Sequence, residues 1–269
     1  MAATFDVWVP YLHLLFAMAL VLAPFADLGA RRRLQRHSSS AARISIYRFG
    51  TLRIWVLTGI ALLLAAPGGL LLLERSASDI PWLLGSVTHM AVTAVLLGLA
   101  ATIPLGQGVL MGARTSWRRK YAKAAQRFRY FLPVTKEERR WWLFVSVSAG
   151  ICEELLFRGY LLQFLNGKMS GGPALGLTAA WLVSSAGFGV GHLYQGVRGA
   201  ITAALGGAVL GLMAILTGDL LLSMVVHGLV DAAALWVYRP LTDDPVEARL
   251  LVEVYDFMPE SHVRTANGT

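Results

Sequence analysis

The chain has 269 residues, 56% apolar and only 15% charged, with a net charge of +8 and a mean hydropathy of +0.57. Soluble domains carry about 25% charged and about 45–50% apolar residues, so the composition argues against a water-soluble globule. One cysteine excludes a disulfide framework and any site built from several thiolates.

The gaps between charged residues predict the elements in order. Residues 7–26 contain no Asp, Glu, Lys or Arg, and neither do 54–73 or 199–218. Each gap is twenty residues long, and about 20 apolar residues in a helix cross the hydrocarbon core. A longer gap holds a span over about 80–104, and further spans are expected at 141–165, 173–190 and 220–238. The expectation is therefore an all-α, polytopic transmembrane helical bundle of about seven spans. Its expected divisions are a three-span N-terminal region over 1–140, a core over 141–238 and a tail over 239–269. The tail changes sign: it has six acidic residues against three basic ones, and Asp244-Pro245-Val246-Glu247 reads as the start of a short C-terminal helix reaching about Tyr255.

The basic residues give the orientation. Seven lie between Arg31 and Arg53 and ten between Arg114 and Arg140, whereas the loop around Glu74 to Asp79 has only Arg75. The positive-inside rule then puts both basic loops and the C-terminus in the cytoplasm and the N-terminus outside, in the inner (plasma) membrane. No Lys or Arg precedes the first span, so it is expected to be retained rather than cleaved as a signal. Trp117, Tyr121, Phe128, Tyr130 and Phe131 interleave with Arg118, Arg119, Lys120, Lys123, Arg127 and Arg129, the pattern of an interfacial amphipathic helix. Lipid headgroups are the expected partner of these charges. No recognition module accompanies them, so no nucleic acid is expected.

Ionisable groups inside membrane spans are costly, at about 2.5–3.5 kcal/mol each on insertion scales, and mark functional sites by default. The fourth span carries Glu153, Glu154 and Arg158, the fifth ends near His192, and the seventh carries His227 and Asp231. Glu154 and Arg158 are four apart, on one helical face, and can neutralise each other. Glu153 is turned about 100° away, towards a different neighbour. His227 and Asp231 also share a face, and a carboxylate beside an imidazole can fix its tautomer. Glu153, His192 and His227 could instead form only a buried polar network. His13 and His89 stand alone in apolar spans and read as packing residues, Cys152 as a small buried hydrophobe, Asp27 and Asp219 as caps, and Gly187/Gly191 and Gly207/Gly211 as close-packing positions between helices.

Three motifs then stand in order. Glu153-Glu154-Leu155-Leu156-Phe157-Arg158 is EExxxR, Phe188-Gly189-Val190-Gly191-His192 is FxxxH, and His227-Gly228-Leu229-Val230-Asp231 is HxxxD. On successive hydrophobic segments this series resembles the CAAX prenyl protease and bacteriocin-processing (CPBP, or Abi) family of glutamic intramembrane proteases. The resemblance covers about residues 141–238, the family's core. It implies an endopeptidase acting on a membrane-associated or lipidated protein or peptide. By motif position, Glu153 would activate water with help from His192, His227 and Asp231 would support the oxyanion and orient the site, and Glu154 and Arg158 would hold the helix geometry. Family members carry Asn or Asp at the last position. An ionised Asp231 cannot donate to an oxyanion, so its expected role is to orient His227.

The expectation includes no cofactor and no metal. A zinc protease using Glu153, His192 and His227 is the alternative within hydrolysis, although no HExxH is present and chelation would tell the two apart. A non-catalytic scaffold or immunity protein is the alternative outside it, and would not need Glu153. A proton-coupled transporter would be expected to show inverted repeats, which the sequence does not.

Overall fold

The computed structural model describes residues 10–22, 25, 39–66, 131–133, 135–169 and 173–237, and these residues form helices and turns with no strand among them. In chain order they give α1 (Pro10–Leu22), α2 (Ser40–Ala65), α3 (Lys136–Glu154), a π-helical segment (Leu155–Leu161), α4 (Leu162–Asn166), α5 (Pro173–Gly191), α6 (Val197–Thr217), α7 (Leu221–Ala232) and α8 (Ala234–Val237). The expected third span, the interfacial helix and the C-terminal helix lie outside the described residues, as do His89 and Asp27.

Helix ends follow their capping residues. Ser39 accepts a hydrogen bond from the Ala42 N–H at 3.2 Å and starts α2. Thr135 and Glu138 form a reciprocal capping box at the start of α3, each side chain accepting from the other's N–H at 3.2 Å. These caps correct two expected boundaries. The chain is already helical from Ser40, well before residue 54, and from Lys136 rather than 141. Arg43, expected to meet lipid headgroups in a loop, is instead buried in α2 and donates to Glu138 at 3.0 Å. The same carboxylate that caps α3 thus ties it to α2. At the other extreme, Gly218 closes α6 in the left-handed conformation at φ 68°, which glycine adopts without strain. Asp219 then accepts from the Leu221 N–H in a local turn leading into α7, whose N-cap position is Leu220 rather than the expected Asp219.

Among the described residues two helices, α2 and α6, are long and apolar enough to cross a membrane; α1, the stretch Leu175–Gly191 and α7 are shorter apolar helices. Large apolar side chains face outward along them, including Leu63, Phe49, Leu205, Val197 and Leu221. A surface of this kind suits lipid rather than water. The interior is built from aromatic and aliphatic side chains of α1, α2, the π segment, α4 and α5, with Phe16, Leu20, Ala61, Leu156, Phe157, Tyr160, Phe164 and Phe188 at its centre. His13 belongs to it, bonded to the Tyr160 hydroxyl at 2.8 Å and stacked on Phe164, and Cys152 is a fully buried free thiol.

Two helix pairs place the site: α3 runs along α7, and α5 along α6. The α3–α7 crossing is backbone-close. A Cβ added at Gly150 would lie 2.6 Å from the Met224 carbonyl and 2.9 Å from the Gly228 nitrogen. In α5 the close approach is made by Gly189 against Ala200 and Ala204 of α6, rather than by Gly187, whose surroundings are ordinary van der Waals contacts.

Candidate active site

Glu153 and Glu154 end α3, and the chain then widens into the π segment that carries Arg158. Single π turns inside α-helices occur often at functional sites. From here Glu153 is thirteen residues, about 20 Å, from the end of α4 at Asn166, and His192 follows nineteen residues of α5, about 28 Å, on the return path. Measured from this shared turn, the two depths differ by about 8 Å, a gap that a carboxylate and an imidazole span between them.

The six ionisable residues of the three motifs converge. Glu154 is fully buried, and its Oε1 accepts from Arg158 Nη1 at 2.9 Å and from His227 Nδ1 at 2.8 Å. Arg158 is equally buried; its Nη2 donates to the Gly207 carbonyl of α6 at 2.8 Å, and its guanidinium lies 4.5 Å from the centre of the Phe188 ring. Because Glu154 Oε1 is an acceptor shared with Arg158, the proton of the Glu154–His227 bond sits on Nδ1. His227 Nε2 is thereby turned towards Glu153 Oε2 at 3.8 Å and Asp231 Oδ2 at 3.7 Å. The expected i, i+4 bond between His227 and Asp231 is replaced: at 3.7 Å the pair is beyond hydrogen-bond length, and Glu154 holds the ring instead.

His192 is fixed by a different device. Its Nδ1 lies 2.9 Å from the Phe188 carbonyl, one turn back in α5. A carbonyl only accepts, so Nδ1 carries the proton, and Nε2 faces Glu153 Oε2 at 3.9 Å. Glu153 Oε2 is buried with no hydrogen-bond partner among the described residues. Separations of 3.8 and 3.9 Å are too long for direct bonds, yet one oxygen can sit about 2.8 Å from both ends of either pair. The arrangement therefore suits a water molecule held by the carboxylate and the two imidazoles. Asp231, Glu153 and His192 are partly exposed, with side-chain accessibilities of 36%, 20% and 17%. The site thus opens on their side and is sealed on that of Glu154 and Arg158.

Phe188 packs between the working parts, with ring centres 4.5 Å from His192, 5.6 Å from His227 and 5.2 Å from Phe157. Sequence reasoning noted Gly207 and Gly211 only as packing positions. Gly207 in fact supplies the second acceptor for Arg158, and a Cβ there would lie 2.9 Å from Arg158 Nη2 and 3.0 Å from Phe188 Cδ1. The small-residue spacing was the available signal; the carbonyl contact has none. Among the described residues, no group of three or more His, Cys, Asp or Glu side chains is arranged to hold a metal ion.

Residues 136–233, from the start of α3 to just past α7, match the family described as type II CAAX prenyl endopeptidase, Rce1-like, and the matched stretch holds all three motifs. Comparison with curated proteins gives no match, and neither does comparison with solved structures.

Proposed function

We propose that this chain is an intramembrane endopeptidase of the glutamic type with its catalytic core over 141–238, a reading supported by the match of residues 136–233 to the type II CAAX prenyl endopeptidase, Rce1-like, family, whose members are peptide hydrolases acting on membrane-associated protein or peptide substrates. Glu153 is the general base. Its carboxylate takes a proton from a water whose other contacts are the two imidazoles, and the hydroxide equivalent attacks the scissile carbonyl carbon. The C=O π pair moves onto oxygen, and His227, in its imidazolium form, donates from Nε2 to the oxyanion while Nδ1 stays bonded to Glu154. Collapse of the tetrahedral intermediate breaks the C–N bond, and the proton held by Glu153 passes to the departing amine. His192 accepts from the water through Nε2 because its Nδ1–H is committed to the Phe188 carbonyl.

The observation that carries this reading is Glu153 Oε2: a buried carboxylate oxygen without a hydrogen-bond partner among the described residues, facing two imidazole nitrogens at water-bridging distance. Glu154 Oε2 is also buried without a partner, so what sets Glu153 apart is that neither imidazole bonds its carboxylate directly while both face it, whereas Glu154 Oε1 is held by Arg158 and His227. Asp231 lines the open side of the pocket 3.7 Å from His227 Nε2 as a polar group whose shape, rather than its charge, the site needs. The proposed setting is a multi-pass protein of the inner membrane, N-terminus outside and C-terminus cytoplasmic. Comparative proteomics of wild type against Glu153→Ala tests the activity. The expected result is an uncleaved membrane-associated precursor that accumulates only in the variant; identical proteomes contradict it.

A further inference from the structure

Helix α7, which carries His227 and Asp231, stops at Ala232, and the chain restarts as α8 at Ala234. Carbonyls near a helix end lack the regular i+4 donor, and the Asp231 carbonyl, approached here by the Ala233 N–H, has a lone pair left for a second donor. Two side chains one turn apart on α3 reach carbonyls at this break: the Trp142 indole N–H donates to the Asp231 carbonyl at 2.9 Å, and Arg139 Nη2 to the Leu235 carbonyl at 2.7 Å. Trp142 is itself held from behind. Tyr47 of α2 meets it edge-on with ring centres 5.6 Å apart, Phe131 does so at 5.4 Å, and the Tyr47 hydroxyl donates to the Phe131 carbonyl. Tyr47 lies outside the matched segment 136–233, so a helix from the N-terminal part of the chain reaches, through one indole, the backbone of a site residue.

We infer that Trp142 is a positioning residue whose indole N–H sets where Asp231 and, one turn earlier, His227 stand relative to Glu153, with Tyr47 as its brace. The inference rests on the peptidase reading above. The Gly150–Gly228 contact fixes how closely α3 and α7 approach and the Glu154–His227 bond ties them at one point; the indole N–H on the Asp231 carbonyl is a second directional tie one turn further along α7, and two such points fix both register and tilt. Displacements of about 1 Å at a site of this kind cost up to about a hundredfold in rate.

The test uses full-length protein in lipid nanodiscs and the precursor that accumulates in the Glu153→Ala strain. It compares wild type, Glu153→Ala, Trp142→Phe, and a protein carrying benzothienylalanine at position 142, which keeps the shape of tryptophan and lacks the N–H. The last removes the bond without opening a cavity, and stands in if Trp142→Phe does not fold. The expected result for both replacements is a kcat lowered about tenfold at unchanged KM, with a thermal midpoint close to wild type for the benzothienyl protein. A benzothienyl protein with wild-type kcat makes Trp142 a packing residue and overturns the inference while leaving the peptidase reading intact. Wild-type cleavage no faster than Glu153→Ala overturns that reading, and the inference with it.

Discussion

Two adjacent carboxylates on one helix end live in opposite surroundings. Glu154 faces the sealed side of the site, where one oxygen receives both an arginine and a histidine. Glu153 faces the open side, where every partner stands 3.8 Å or more away. A buried charge is tolerable only when paired and hydrogen-bonded, and the chain meets that condition for Glu154 with side chains from two elements, Arg158 of the π segment and His227 of α7. Glu153 is left short of partners in a place where a bond would be expected. The sealed half therefore reads as a fixture that aims His227, and the open half as the place where chemistry happens.

The two halves should fail differently. Breaking the sealed one removes a partner from a buried ion pair, so Arg158→Met should destabilise the protein by about 3–5 kcal/mol, seen as a large drop in the thermal midpoint in detergent together with loss of activity. Gly207→Ala attacks the same half from α6 by pushing a methyl against Arg158 and Phe188. Overpacking of this kind costs about 1–3 kcal/mol, and the same thermal scan should show a smaller drop, with residual activity. The open half sharpens the contrast at Asp231, which touches solvent and makes no side-chain hydrogen bond to His227 within 3.5 Å. Asp231→Asn should retain most activity and Asp231→Ala lose about a hundredfold, both at near-native stability. Equal loss in the two would remove Asp231 from the account of the pocket.

Much of the site was legible because lipid penalises each of its members: Glu153, Glu154, Arg158, His192, His227 and Asp231 stand out one by one in apolar stretches. The Glu154–Arg158 bond was legible too, since four-residue spacing puts both on one face. The same rule set His227 beside Asp231, and the two do stand 3.7 Å apart, but it gave no hint of the ring's hydrogen bond to Glu154, 73 positions away. Spacing reports neighbours on a helix and is silent on which helix lies opposite. Trp142 and Gly207 escaped for another reason. Their contacts involve backbone carbonyls, and every residue has one, so nothing in the sequence flags them. The early start of α2 was readable in principle, because Ser39 is a good N-cap; the run of arginines around it was given to a loop instead.

The central claim is that Glu153 is poised for chemistry rather than structure. The most direct measurement is Glu153→Gln in purified protein, with precursor cleavage and the thermal midpoint taken on the same sample. The swap keeps shape and removes basicity. The account predicts a rate at least about a thousandfold lower, with a midpoint within a few degrees of wild type. Cleavage within tenfold of wild type, or a protein that unfolds as readily as Arg158→Met, would contradict it.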